Sequence, residues 1–340
     1  MRAVVFEGVG RGIAVKDVEP PAVEEPHAVL IGIKECGICG SDLAILEGRH
    51  PSKPPVILGH ELSGEVVRVG TGVTQFAVGD HVVVDPNVSC GVCRNCRLGR
   101  RNMCQNILEL GITRDGGFAE LMLAREQSVY RVDPALSWRA GALIEPLACV
   151  VHGLEKSRVR PEETAVVYGA GPMGLLWVAM LKRAGVSKVI SVDLAEKRRA
   201  AAERLGADAT IDPAVEDPVS RVERETGGLG ADVAVEMIGR AETVDSAIRS
   251  AGPGGRVVVM GVARHEARSQ FSPFELMVRE LEVLGSNANS FGFVPAIRLV
   301  EEGAIPVDEI VSHELGIEEA QKGFDLCRSG QAMKVLIRPG

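Results

Sequence analysis

The hydrophobic and polar positions follow different patterns in the two halves of this chain. Over residues 1 to about 150, short runs rich in β-branched residues are separated by Gly, Pro and Asn, which is typical of short β-strands joined by loops. The irregular spacing of these runs predicts a small barrel or sandwich with long functional loops. Strands are predicted at residues 1–6, 28–34, 65–69 and 81–85.

From about residue 164, apolar runs alternate with segments of helical pattern. Alternation of this kind forms right-handed βαβ units and predicts a parallel, doubly wound sheet. The six strands predicted for it are 165–168, 188–192, 209–211, 232–236, 256–260 and 282–284. Helices are predicted at 173–184, 196–205, 241–250, 273–280, 295–302 and 317–328, and a last strand at 334–337.

Length and charge narrow the possible functions. A chain of 340 residues predicts about two domains, and its net charge of −8 disfavours nucleic acid or an anionic membrane as partner and favours small soluble substrates. The longest uncharged run, 164–181, contains three glycines and a proline, so it is interpreted as strand–turn–helix rather than a membrane span. The N-terminus has no secretory signal, which predicts a cytoplasmic protein whose clustered thiols bind metal rather than form disulfides.

A glycine-rich turn follows the first strand of the predicted parallel sheet. Gly169, Gly171 and Gly174 have G-x-G-x-x-G spacing, which allows a tight turn, close approach of a pyrophosphate and packing of helix on strand. The next strand ends at Asp193, nineteen residues after Gly174, where an acid would bind the ribose hydroxyls of a dinucleotide. The predicted cofactor-binding residues are Gly169, Gly171, Pro172, Met173, Gly174, Asp193 and Arg198.

The acid at the end of that strand also bears on the choice of cofactor. Asp193 favours NAD over NADP, because a carboxylate there repels a 2′-phosphate. Three basic residues follow at Lys197, Arg198 and Arg199. They could form a phosphate clamp, but a solvated helix face is the favoured interpretation for at least two of them, so NAD is the predicted cofactor.

Four of the eight cysteines fall in one short segment. Cys90, Cys93, Cys96 and Cys104 have C-x2-C-x2-C-x7-C spacing, which lets four thiolates converge tetrahedrally on one Zn²⁺. Four thiolates close the coordination sphere, so this zinc would be structural. Disulfides are disfavoured by the compartment, an iron–sulfur cluster matches the spacing less well, and the acidic remainder of the chain speaks against a nucleic-acid zinc ribbon.

The segment 36–61 carries a second group of possible ligands. It contains two thiols, a Ser-Asp pair directly after the second thiol, and a His-Glu pair in a glycine-flanked turn. These side chains could bind zinc and leave one position open for chemistry. The residues are Cys36, Cys39, Ser41, Asp42, His60 and Glu61.

Over essentially its whole length the chain resembles the zinc-dependent medium-chain dehydrogenase/reductase superfamily. The resemblance implies an α/β protein with a GroES-like β-barrel catalytic domain (1–150, with a structural zinc lobe at 88–104, completed by about 295–340) and a Rossmann NAD-binding domain (151–294). It also implies a catalytic zinc in the cleft between them. The motifs that carry it are CGSD at 39–42, GHE at 59–61, the four cysteines, GGFAE at 116–120, EP at 145–146, GAGPMG at 169–174 and Asp193.

The resemblance implies a role for each group around the catalytic zinc. Cys39 and His60 would bind the metal, with Glu61 and Glu145 as carboxylate ligands alternating with water. Together with the structural zinc of the four cysteines, this makes two zinc ions per chain. Ethanol-type members have a cysteine where this chain has Glu145, whereas polyol, sugar and threonine dehydrogenases have an acid, so the chain is similar to that branch. Cys36 is expected to be a small buried residue.

The implied chemistry is the oxidation of an alcohol. Zinc would lower the pKa of the alcohol, and the nicotinamide would accept the hydride. Ser41 would begin a proton relay, and Asp42 would orient His60. Many relatives have a histidine five residues after the ligand cysteine where this chain has Ala44, and His50 is a hypothetical substitute.

The predicted substrate is a secondary alcohol of the polyol, cyclitol or sugar class. A threonine dehydrogenase-like enzyme is the first alternative, which needs Arg49 or Arg298 to bind a carboxylate, and a non-enzymatic zinc-binding module is the second. A homotetramer is expected from the resemblance, with a dimer as the other possibility. The candidate pocket residues are Phe118, Asn287, Asn289 and Phe291.

Overall fold

The computed structural model describes residues 1–340 and divides the chain into two units. Unit 1 comprises Met1–Ala148 and Ser290–Gly340, and unit 2 comprises Cys149–Asn289. The two ends of the chain therefore belong to the same unit.

The chain contains eighteen strands, most of them short. In chain order they are β1 Arg2–Gly8, β2 Gly12–Asp17, β3 Ala28–Gly37, β4 Val56–Ile57, β5 Glu61–Val69, β6 His81–Val84, β7 Asn87–Val88, β8 Leu108–Glu109, β9 Leu121–Arg125, β10 Val129–Arg131, β11 Thr164–Tyr168, β12 Lys188–Val192, β13 Ala209–Ile211, β14 Ala231–Glu236, β15 Ala251–Val259, β16 Glu282–Gly285, β17 Val311–Gly316 and β18 Lys334–Arg338.

Twelve α-helices connect or cover these strands, and none of them is long and apolar enough to cross a membrane. They are α1 Gly40–Leu46, α2 Arg94–Arg97, α3 Trp138–Gly141, α4 Ile144–Ser157, α5 Pro172–Arg183, α6 Glu196–Arg204, α7 Pro218–Glu225, α8 Ala241–Ser250, α9 Pro273–Val278, α10 Phe293–Glu301, α11 Val307–Ile310 and α12 Ala320–Arg328.

Strand β3 is the centre of unit 1. It is buried along nearly all of its length, because it pairs antiparallel with β5, β9 and β18 within a seven-stranded sheet. The pairing with β18 joins residues 36 and 337, so the last strand of the chain completes this sheet. A three-stranded sheet (β2-β1-β4) and a two-stranded sheet (β7-β8) make up the rest. Branched side chains from the sheets form the core of the unit.

Unit 2 is a six-stranded parallel sheet with helices between its strands. The spatial order is β13-β12-β11-β14-β15-β16, so the chain runs outward from β11 in one direction and then from β14 in the other. This is the doubly wound order, in which ligands bind beyond the carboxyl ends of the two strands where the direction reverses. The predicted parallel sheet is confirmed.

The predicted elements differ from the structure mainly in unit 1. Strand β5 begins at Glu61 rather than at residue 65, and β2, β4, β7 to β10 and β17 were not predicted. The predicted helix 317–328 is a 3₁₀ turn at Ile317–Glu319 followed by α12. Helix α7 was also missed; it begins with Asp217, whose carboxylate accepts a hydrogen bond from the backbone N–H of Ser220, and Pro218 follows at the first helical position.

Candidate active site

The β3–β5 pairing brings the two halves of the segment 36–61 together. Gly37 at the end of β3 faces Glu61 at the start of β5, so the residues just beyond each strand lie at the same end of the sheet. One possible ligand atom from each of Cys39, His60 and Glu61 lies within 4.8 Å of the other two. Donors bound to one tetrahedral zinc at about 2.0–2.3 Å lie roughly 3.3–3.8 Å apart, so a group of this size fits the ion.

Helix α1 places a buried carboxylate behind the histidine of this group. Asp42, which is fully buried, accepts a hydrogen bond from the backbone N–H of Cys39 through Oδ2 (2.8 Å). Its other oxygen lies 3.6 Å from Nδ1 of His60, and neither of these two atoms has a hydrogen-bonding partner. A carboxylate behind one ring nitrogen is the usual support for a histidine whose other nitrogen binds metal. Nε2 of His60 is 3.2 Å from the Ser41 hydroxyl.

The charges around the imidazole of His60 favour its protonated, cationic form. Burial lowers the pKa of His60, but Asp42, the Cys39 thiol and Glu145 outweigh it and raise that pKa well above its ordinary value. The pKa of Asp42 is also raised, in this case by burial, which disfavours the charged carboxylate. A buried group of acidic ligands that holds positive charge on a histidine is also suited to hold a divalent metal ion.

Glu61 has a buried partner that the sequence did not reveal. Lys334, at the start of β18, donates hydrogen bonds from Nζ to Oε2 of Glu61 and to the carbonyl oxygen of Ile38. The side chains of Lys334 and Glu61 are only 3% and 1% exposed. Burial lowers the pKa of Lys334, but the negative charges of Glu61 and Cys39 outweigh this and raise it. The sequence shows only that a lysine opens the otherwise apolar run 334–337, and it does not identify the partner of that lysine.

The remaining residues predicted for this site lie outside the three-atom group, which consists of one ligand atom each from Cys39, His60 and Glu61. Glu145 is buried in the first turn of α4 and acts on His60 through its charge. Ala44 is buried in α1. His50 is partly exposed, with Nδ1 3.1 Å from the carbonyl oxygen of Pro51. The proposed relay through His50 and the alternation of Glu145 with Glu61 stay predictions.

The four-cysteine lobe also has the dimensions of a zinc site. One sulfur from each of the four cysteines lies within 4.8 Å of the others, and Cys93 Sγ is 3.5 Å from Cys96 Sγ and 3.9 Å from Cys104 Sγ. A tetrahedron with Zn–S bonds of about 2.3 Å has an edge of ~3.8 Å. Backbone hydrogen bonds from Cys96 and Gln105 lower the pKa of Cys93 to about 6, whereas burial and the neighbouring thiols raise the pKa of Cys96 to about 11. Four thiols so close together can all be ionised only when a cation lies between them.

The glycine-rich turn of unit 2 has the geometry of a pyrophosphate site. Gly169 has a φ of +99°, and a Cβ at Gly174 would overlap the carbonyl oxygen of Gly169. A Cβ at Gly171 would meet nothing within 4 Å, so the surface there is open to a ligand. Helix α5 begins directly after Gly171, with Pro172 and Met173 as its first two residues. The N-terminus of this twelve-residue helix therefore lies at the opening.

Asp193 is held beside this turn. Its two carboxylate oxygens accept hydrogen bonds from the backbone N–H groups of Ala170 and Ala195, both at 2.8 Å. Arg198 lies next to it, with Nη1 3.8 Å from Oδ2 of Asp193. Arg199 points elsewhere, donating to the Asp193 carbonyl oxygen (2.8 Å) and pairing with Asp212 (3.0 Å). Of the two arginines, only Arg198 is placed to act on a group at the Asp193 carboxylate.

The two predicted aromatic pocket residues differ in burial and in their neighbours. Phe118 is fully buried in the core of unit 1 and packs edge-on against Phe324. Phe291 is exposed, and the guanidinium of Arg101 lies 4.8 Å from its ring centroid. A groove of about 650 Å³ in unit 1 is lined by Val18, Leu108 and Leu123 among others, but by none of the possible zinc ligands, so the chemistry described above does not lie in it.

Comparison with known proteins tests the resemblance directly. The alcohol dehydrogenase GroES-like domain matches residues 25–134, and the zinc-binding dehydrogenase domain matches 172–302. A D-xylulose reductase A of Aspergillus niger is 34% identical over 98% of this chain and 95% of its own. A sorbitol dehydrogenase of Halalkalibacterium halodurans is 34% identical over 100% and 99%.

The chain belongs to the zinc-dependent medium-chain dehydrogenase family. A zinc-binding dehydrogenase from Sinorhizobium meliloti 1021, solved with NADP bound, superimposes with a TM-score of 0.95 at 39% identity and covers 99% of both chains. The predicted fold class, a GroES-like domain with a Rossmann domain, is therefore confirmed. As a member of this family, the dehydrogenase is an oxidoreductase that uses zinc and NAD(P).

Proposed function

We propose that this dehydrogenase oxidises a secondary alcohol of a polyol, cyclitol or sugar and passes the hydride to NAD. The observation that carries the proposal is the three-atom group of Cys39, His60 and Glu61, in which a single thiol is combined with one imidazole and one carboxylate. The relatives named D-xylulose reductase and sorbitol dehydrogenase support the polyol class.

In this proposal Cys39, His60 and one carboxylate hold the catalytic zinc, and the four-cysteine lobe holds a structural zinc. Three protein ligands leave one coordination position open, whereas four thiolates leave none. Zinc supplies Lewis-acid polarisation of the alcohol oxygen, and NAD supplies the hydride acceptor. The carboxylate of Asp42, 3.6 Å from Nδ1 of His60, favours a proton on that nitrogen through its charge and so leaves Nε2 for the metal.

The chain's own residues then handle the proton and the cofactor. Ser41, whose hydroxyl lies 3.2 Å from Nε2 of His60, accepts the proton of the substrate hydroxyl and passes its own proton on. Ala44 has no group that can continue this path, so the proton leaves through the cofactor ribose and water or through His50. Gly169 to Gly174 bind the pyrophosphate, and Asp193 binds the adenine ribose.

NAD is proposed as the preferred cofactor, with weaker use of NADP. The carboxylate of Asp193 repels a 2′-phosphate, but Arg198 lies close enough to offset part of that repulsion. The relative solved with NADP shows that members of this family similar to this chain can bind the phosphorylated cofactor.

A homo-oligomer is supported by one edge of unit 2. Strand β16 is the last strand of its sheet, and Val283 on it is 41% exposed. Helix α9, which precedes it in the chain, has no fully buried residue and exposes Phe274, Met277 and Val278. An open, apolar strand edge can pair with its own copy about a two-fold axis, which satisfies the unpaired backbone groups. A dimer through β16 is proposed, and the expected homotetramer would require a second interface.

Eight free cysteines, four of them clustered, suit a reducing compartment, and a cytoplasmic location is proposed on that basis.

The threonine dehydrogenase-like alternative gains no support, because Arg49, one of its two candidates for binding a carboxylate, is already paired with Glu47 at 2.6 Å.

Initial rates with NAD⁺ test the substrate class. The panel contains sorbitol, xylitol, inositols, 2,3-butanediol, aldoses and threonine, each also measured with NADP⁺. We expect turnover of at least one polyol, cyclitol or sugar and higher kcat/KM with NAD⁺. Turnover of threonine alone would contradict the proposal.

A further inference from the structure

Strand β14 ends in a glutamate whose side chain is fully buried at the carboxyl end of the parallel sheet. Oε1 of Glu236 accepts hydrogen bonds from the backbone N–H groups of Ile238 and Gly239, both at 2.8 Å. The same oxygen lies 2.8 Å from the hydroxyl of Thr243, whereas Oε2 is buried and has no hydrogen-bonding partner. Burial of a carboxylate costs free energy that an apolar residue of similar size would not, so Glu236 points to a role beyond packing.

Glu236 also joins β14 to the next strand of the sheet. Its carbonyl oxygen accepts hydrogen bonds from the backbone N–H groups of Met260 and Gly261, both at 3.0 Å, directly after β15. A Cβ at Gly261 would overlap the backbone nitrogen of Gly239 and lie 2.6 Å from Oε2 of Glu236. The turns after β14 and β15 are therefore in close contact, and Glu236 is bonded to both.

The turn that Glu236 braces lies against the glycine-rich turn. Tyr168, the last residue of β11, pairs with Glu236 in the parallel ladder, and its carbonyl oxygen accepts a hydrogen bond from the backbone N–H of Met237 (2.9 Å). A Cβ at Gly169 would lie 2.9 Å from Cγ1 of Ile238, so this side chain covers Gly169. Ile238 is nevertheless 42% exposed. An exposed apolar side chain at this opening is placed to contact a dinucleotide bound there.

We infer that Glu236 is a positioning residue for the cofactor. Its carboxylate fixes the turn after β14, and that turn holds Ile238 beside the site proposed for the pyrophosphate. Without the carboxylate, two backbone N–H groups lose their acceptor and the turn is free to move, so dinucleotide binding weakens. The zinc ligands lie in unit 1 and are unaffected. The inference rests on the proposed cofactor site at residues 169–174.

Titration calorimetry with NAD⁺ on the zinc-loaded enzyme tests the inference with Glu236→Leu and Glu236→Gln. Leu fills similar space but accepts no hydrogen bond, so we expect Kd for NAD⁺ to rise about tenfold. Gln keeps an acceptor at the position of Oε1 and places its NH₂ group at Oε2, which has no partner to lose. We therefore expect its Kd to stay within about twofold of the wild-type value. Equal weakening in both variants would overturn the inference, because the charge and not the bracing of the turn would then be responsible.

Initial rates separate positioning from a merely structural role. With the alcohol that the substrate panel identifies, KM for NAD⁺ should rise in Glu236→Leu, while kcat at saturating NAD⁺ and the zinc content stay unchanged. Asp232→Ala is the matched control, because Asp232 lies near the other end of β14 and its carboxylate also accepts a backbone N–H bond, from Thr164 (2.8 Å). It should lower the thermal midpoint without changing KM for NAD⁺. A lower kcat with unchanged KM in Glu236→Leu would contradict a positioning role.

A shorter carboxylate keeps the test decisive if Glu236→Leu does not fold. Glu236→Asp lacks one methylene and is too short to keep both backbone bonds, so its Kd for NAD⁺ should also rise. An unchanged Kd in the variant that folds, with wild-type binding intact, overturns only the role of Glu236. A wild-type enzyme that binds neither NAD⁺ nor NADP⁺ would contradict the proposed cofactor site and this inference together.

Discussion

Gly37 and Glu61 face each other across the β3–β5 ladder, and the carboxylate of Glu61 occupies the space that a side chain at Gly37 would take. This contact joins the two parts of the candidate zinc site. The strand end at Gly37 leads to Cys39 two residues on, and the strand start at Glu61 follows His60.

Replacing Gly37 by Ala should therefore disturb the site and not only the sheet. The new methyl group overlaps Oε2 of Glu61, so we expect zinc to be lost from the catalytic site and the free energy of unfolding to fall by about 1–3 kcal/mol. Gly32→Ala is the matched control on the same strand, because its Cβ would meet the Val67 side chain at 3.1 Å and the carbonyl oxygen of Glu65 at 3.7 Å, and no atom of the zinc site. Zinc analysis and thermal unfolding of both variants check this; equal zinc content would contradict it.

Removal of one lobe thiol should separate the two zinc sites. Cys93→Ala leaves three thiolates for the lobe metal, so we expect zinc content to fall by one ion per chain and the thermal midpoint to drop, while the metal of the other site is retained. Cys327→Ala, outside both groups, is the control. Loss of both ions from Cys93→Ala would show that the two sites do not bind independently.

The Asp193 carboxylate should control the choice of cofactor. Asp193→Asn removes the negative charge and keeps an acceptor for one of the two backbone N–H groups that bind the carboxylate. We expect KM for NADP⁺ to fall and KM for NAD⁺ to rise, together changing the preference by about tenfold, which corresponds to ~1.4 kcal/mol.

Two further variants make this test specific. Arg198→Ala should weaken NADP⁺ binding more than NAD⁺ binding, because its guanidinium lies beside the same carboxylate. Asp212→Asn, which removes only the partner of Arg199, should leave the cofactor ratio unchanged. A preference that does not move in Asp193→Asn would be the contrary result.

Charge on the open edge of unit 2 should dissociate the proposed dimer. Val283→Asp places a carboxylate in the middle of β16, where it would face its own copy, so we expect the mass in solution to fall to that of a smaller species. Val215→Asp is the control, since Val215 is also exposed in unit 2 but lies outside its strands. Light scattering coupled to gel filtration measures both. An unchanged mass for Val283→Asp would rule out an interface at β16.

The fold of unit 2 could be predicted from the sequence because each of its strands and helices is specified by the pattern of its own residues. Each strand and helix has its own periodicity, and consecutive βα units pack beside each other in one handedness. The turn at Gly169 and the acid at Asp193 lie on adjacent strands, so the cofactor site followed from the same pattern.

Unit 1 was harder to predict because its sheet pairs distant segments. Several of its strands are only two or three residues long, too short to show a period, and β3 pairs with a strand at the other end of the chain. The residues Cys39, His60 and Glu61 could be recognised from their motifs, and the structure places one possible ligand atom of each within 4.8 Å of the others. Lys334 could not, since its partner lies 273 residues away and a single lysine carries no motif.

In the proposed function, His60 helps to hold the catalytic zinc of an alcohol dehydrogenase. The most direct test measures zinc content and polyol-dependent NAD⁺ reduction in the same samples of wild type and His60→Ala. We expect about two zinc ions per wild-type chain, about one in the variant, and loss of at least roughly a hundredfold in rate. A variant that keeps both ions, or that loses one without losing activity, would contradict the claim.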